Sequence, residues 1–134
     1  MTSKMQIFRR REDGGATVES VLWLGFFVMV FGLLIDVAMI FNGQARALRV
    51  VQDRNREFAV GQITTIADLR TEITNELSAL RIIPTSVVPT VTAGVVSTRV
   101  QIPADQLAII GFFTSFPGLQ VDVAADIMIE NWEV

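Results

Sequence analysis

The chain has no cysteine and no histidine among its 134 residues. Disulfides, thiolate nucleophiles and the commonest zinc ligands are thereby excluded, together with the side chain that usually shuttles protons near neutral pH. Carboxylates remain, but acids in a small domain are read as solvated surface groups. No enzymatic activity, catalytic residue, metal or cofactor is expected. A broad basic face is also missing: the formal net charge is −3, and the basic residues fall chiefly into two groups. Nucleic acid is therefore not an expected partner. There is no internal repeat and no low-complexity stretch.

What the chain has in excess is apolar residues, 51% of the total, and they are concentrated between residues 20 and 41. From Ser20 to Ile35 there is no charged residue, and after Asp36 the run resumes through Phe41. About twenty-two residues at ~1.5 Å each match a hydrocarbon core of ~30 Å. About ninety residues remain for a soluble part, too few to wrap a core helix that is apolar on every side. The run is read as a membrane-spanning helix. Asp36 lies near its far end, within reach of the interface or of a neighbouring subunit, where a charge costs less than at the midplane. Gly25 and Gly32 would let another helix approach closely.

Beyond Gly43, where a kink could fall, Leu48, Val51 and Phe58 alternate with Arg46, Arg49, Arg54 and Arg56. The spacing predicts that the helix continues into water as an amphipathic extension to about Ala59. A second helix is predicted from Ile66, Leu69, Ile73, Leu77 and Leu80, with Thr65 as a cap and Pro84 beyond its end. The period then changes to two. Val96, Thr98, Val100 and Ile102 mark one strand, and the alternation from Leu119 to Ile129 marks another. Thr85 to Thr92 would add a third, interrupted by Pro89, with a turn or bulge at Gly94. The apolar stretch between the strands, containing Phe112, Phe113 and Phe116, has no clear period. It reads as a short helix, as a loop capping the sheet, or as an exposed contact surface.

The junction before the apolar run carries the functional signal. A short basic leader, with Arg9, Arg10 and Arg11, leads into Gly14-Gly15-Ala16-Thr17-Val18-Glu19. A glycine has no Cβ to obstruct a peptidase from approaching the backbone. A carboxylate at the edge of a bilayer is costly alone, so Glu19 requires a positive partner or a place at the headgroups. The stretch GGATVESVLWLGFFVMVFGLLID resembles the TadE-like family of tight-adherence pilus assembly proteins, a type IV pilin-like group. The likeness runs from about Arg9 to Arg56, with Ser20 where the family usually has an aromatic residue and Gly25 where it often has proline. It extends to Asp36, an acid that closes the apolar run four residues after Gly32.

The resemblance implies cleavage by a prepilin peptidase at the cytoplasmic face. Cleavage after Gly14 makes Glu19 the fifth mature residue; cleavage after Gly15 makes it the fourth, and spacing favours Gly14. It implies further that Glu19 pairs with the amino terminus of an adjacent pilin-like subunit and so sets register during assembly. Asp36 is a secondary candidate for the same task. The expected partners are the peptidase, other pilin-like subunits, the pilus assembly platform and inner-membrane lipid. The amino terminus would be cytoplasmic and residues from about 42 onward would lie outside the cytoplasm.

The expected architecture is an α+β, pilin-like fold, with a leader over 1–14, a transmembrane helix and its extension over 15–60, and an α+β domain over 61–134. Two other readings stand beside a minor pilin-like subunit. One is an uncleaved single-pass scaffold of an envelope complex. The other is a binding domain secreted by signal peptidase, whose small-x-small rule Ala45-Arg46-Ala47 satisfies.

Overall fold

A computed structural model describes residues 13–115 and 118–130. The expected leader lies outside them except for its last two residues, as does Phe116. The fold is α+β: α1 (Asp13–Ala59), α2 (Ile66–Ala79), β1 (Ser86–Thr92), β2 (Val95–Pro103) and β3 (Gln120–Met128), with short 3-10 turns at Ala104–Gln106 and Phe112–Ser115 between the last two strands. The chain divides into two compact units, the second beginning at Ile35.

The described part of the first unit is helical throughout. Its large side chains, from Val18 to Leu34, are exposed with few exceptions. Trp23, Phe26 and Phe27 form a small ring cluster, with Trp23 edge-on to Phe26 at 5.7 Å between centroids. A stretch of α1, Thr17–Ala59, is long and apolar enough to cross a membrane, and only 11% of its most apolar window is buried within the chain. A soluble protein's core helix would be mostly buried.

The second unit has a core built from every element. Ala47, Val50 and Val51 of α1 join Leu69, Ile73 and Leu77 of α2, and both meet Val87, Val96, Val100, Ile102, Val123 and Ala125 of the sheet. The period-two alternation is visible in β2, where Val96, Thr98, Val100 and Ile102 are buried and Arg99 is exposed. Because α1 supplies core side chains from Ala47 onward, its later half belongs with the domain. Gly43 is not a break in α1. A Cβ there would lie 2.6 Å from Leu107 Cδ2, so the missing side chain makes room for Leu107.

The sheet is a three-stranded antiparallel meander with β2 in the middle. β1 is at an edge, which tolerates the missing N–H of Pro89. Thr92 pairs with Val95 across Ala93 and Gly94, whose φ values of 51° and 77° define a type I′ turn. Thr65 caps α2 by accepting a hydrogen bond from the Asp68 N–H. At the other end, Ile82 N–H donates to Leu77 O and Arg81 N–H donates to Ser78 O, both at 2.9 Å. This is a Schellman closure. Arg81 occupies its left-handed position at φ 62°, while Ile82 packs into the core.

One polar pin crosses the core. Asn55 of α1 and Thr98 of β2 are both fully buried. Thr98 Oγ1 donates to Asn55 Oδ1 at 2.6 Å, and Asn55 Nδ2 donates to the Ala125 carbonyl at 2.9 Å. Helix, central strand and edge strand are thus joined by directional bonds where apolar packing alone would leave register freer. At the rim, Arg54 donates to Glu76 and Glu57, at 2.6 Å each. The bond to Glu76 is the first cause that raises the guanidinium above its ordinary range. These groups are partly exposed, so each pair contributes about 1 kcal/mol at most.

Candidate functional site

Two places in the structure hold the candidate residues: the start of α1 and the surroundings of Asp36. At the first, Gly14 and Gly15 lie within the opening turn of the helix, and Glu19 follows on an exposed position. A Cβ built on Gly15 meets nothing within 4 Å. Glu19 and Asp36 are seventeen residues apart in the sequence.

Asp36 has a different setting. Its side chain is fully buried, and its carboxylate is surrounded by backbone donors from the loop between β2 and β3. The N–H groups of Ile109 and Ile110 donate to Oδ1 at 2.9 and 2.7 Å. Those of Gly111 and Phe112 donate to Oδ2 at 2.9 and 2.8 Å. Four consecutive amides converging on one anion form a nest, and two donors on each oxygen suit an ionised carboxylate, which only accepts. Gly111 makes the curve possible: its φ of 88° lies in the left-handed region that side chains resist.

Asp36 therefore finds its hydrogen-bond partners inside its own chain, a role that the sequence reading, with its reach to the interface or to a neighbour, did not contain. The stretch with no clear period contains two short 3-10 helices, Ala104–Gln106 and Phe112–Ser115, with a loop between them. That loop turns the amides of Ile109 to Phe112 toward α1, which leaves the side chains of Ile109 and Ile110 exposed. The available signal was indirect: a lone acid inside an apolar run requires donors, and Gly111 is the residue in that apolar stretch that best permits adjacent amides to converge.

Among the described residues there is no group of three or more acids that could hold a metal ion. A shallow hollow on the outer face of the sheet is lined by Ser86, Val88, Thr90, Ser97, Arg99 and Gln101. It is the solvent side of paired strands, where Ser97 also hydrogen-bonds Asp126.

The fold and the two sites together describe an α+β domain carried by a helix of membrane-spanning length. Against protein-family models, curated proteins and solved structures, the chain matches none.

Proposed function

We infer that the protein is a single-pass membrane protein acting by assembly, as a minor pilin-like subunit or assembly factor of a tight-adherence type pilus. The observation that carries this reading is the placement of Gly14, Gly15 and Glu19 at the head of α1, the one helix among the described residues long and apolar enough to cross a membrane. A peptidase that cuts beside the glycines would free an amino terminus next to an apolar helix. In lipid, that helix would pack against those of other subunits through shape and polar pairing, because lipid and protein are equally apolar. Glu19 supplies the polar term. Asp36 is already satisfied by four amides of its own chain, so Glu19 is the acid of this segment left for pairing with a neighbouring subunit's amine. The chain from about residue 42 onward would then be displayed outside the cytoplasm, where it primes, caps or adapts a filament.

Release by signal peptidase is disfavoured by a specific observation. Cleavage after Ala47 would cut α1 inside the domain core, removing Ala47 from Val50 and Val51, with which it is buried. The uncleaved scaffold differs from the pilin-like reading only at the amino terminus.

The assembly role is tested by photo-crosslinking from Leu22 in the membrane of cells expressing the other pilus components. The native chain is expected to crosslink to pilin-like subunits, and Glu19→Gln to lose most of those crosslinks while remaining in the membrane. Equal crosslinking by both would remove the role of Glu19 in assembly.

A further inference from the structure

We propose that the loop Ile109–Phe112 is a second membrane contact, with Ile109 and Ile110 inserted among lipid chains beside α1. The proposal rests on the reading of α1 as a membrane span and adds a lipid-facing element outside it. Its first support is position. The loop's amides are bonded to Asp36, which precedes the end of the apolar run at Phe41 by five residues. That separation is about 7.5 Å along the helix, on the hydrocarbon side.

The second support is chemistry. Ile109 and Ile110 are 67% and 51% exposed, although the backbone between them is fixed. Ile35 and Phe41 of α1, on either side of Asp36 in sequence, are also exposed. Bonding the four N–H groups to Asp36 satisfies those donors and the acid within the protein, as polar groups at membrane depth require. The third support is charge. Arg46 and Arg49 are exposed five and eight residues beyond Phe41, or about 7.5 and 12 Å further along the helix. That spacing suits anionic phosphates of a lipid surface. Lipid is thus the occupant that matches both the apolar pair and the basic belt beyond it.

The experiment uses the full chain, which has no native cysteine to remove. Single variants Ile109→Cys, Ile110→Cys, Val88→Cys and Leu24→Cys are labelled with bimane and placed one copy per nanodisc of phosphatidylethanolamine and phosphatidylglycerol containing doxyl lipids. Probes at 109 and 110 are expected to be quenched several-fold more than the probe at 88 on the sheet, and more by 5-doxyl than by 12-doxyl chains. If 24 is quenched while 109 and 110 behave like 88, the loop proposal is overturned and the span stands. If 24 is not quenched, the span reading falls and the loop proposal with it. Shielding of 109 and 110 only in discs with several copies would assign the loop to a protein neighbour and also overturn the proposal.

Discussion

The carboxylate of Asp36 accepts a 2.9 Å hydrogen bond from the backbone of Gly111, seventy-five residues away in the chain. This bond and its three neighbours tie the loop between β2 and β3 to α1. Asp36→Asn would put an amide NH2 where an oxygen now receives two N–H groups. The loop is then expected to open, seen as faster limited proteolysis between Leu107 and Leu119 with the β-sheet intact. Gly111→Ala, which strains the left-handed backbone, is expected to act the same way. Unchanged cleavage in both variants would show that the nest does not hold the loop.

The Asn55 and Thr98 pair should couple strongly. Asn55→Ala leaves a buried hydroxyl and the Ala125 carbonyl without their partner, an expected loss of about 2–3 kcal/mol in urea unfolding. Thr98→Val should cost less in the Asn55→Ala background than alone, with a coupling energy of about 1 kcal/mol. Additive losses would mean the two side chains contribute separately.

Gly43 is a packing site. Gly43→Val would place a branched side chain against Leu107 and is expected to lower stability by about 1–3 kcal/mol. Shortening the neighbour in the pair Gly43→Val with Leu107→Ala should return part of that loss, which calorimetry of the two variants would measure.

Two positions offer stabilisation. Arg81 and Ala93 hold positive φ without being glycine, a conformation costing about 1–2 kcal/mol for a side-chain-bearing residue. Arg81→Gly in the Schellman closure and Ala93→Asn in the type I′ turn are each expected to gain about 1 kcal/mol, read as a rise in Tm.

Much of the fold was legible in the sequence because its signals were local and periodic. The stripe Leu69, Ile73, Leu77 placed α2, and Thr65 capped it as its side chain suggests. Alternation placed β2 and β3, and Gly94 marked their neighbouring turn. The loop at Ile109–Phe112 was not legible, because its order comes from backbone amides meeting a carboxylate from far along the chain. Neither side of that contact has a periodic signature. Asn55 was hidden for a similar reason: on an amphipathic helix a polar residue reads as solvent-facing unless its distant partner is known. Gly14, Gly15 and Glu19 carry meaning through spacing and resemblance, with Gly15 and Glu19 exposed near the start of α1, and the reading they carry calls for a direct measurement.

That measurement is intact mass and amino-terminal sequencing of the membrane-bound protein, native and Gly14→Val. A mature chain that begins at Gly15, and that is absent in the variant, is the expected result. An intact Met1 in both would contradict prepilin processing and leave Glu19 with a structural role alone, while a soluble chain beginning at Leu48 would contradict it in favour of a secreted domain.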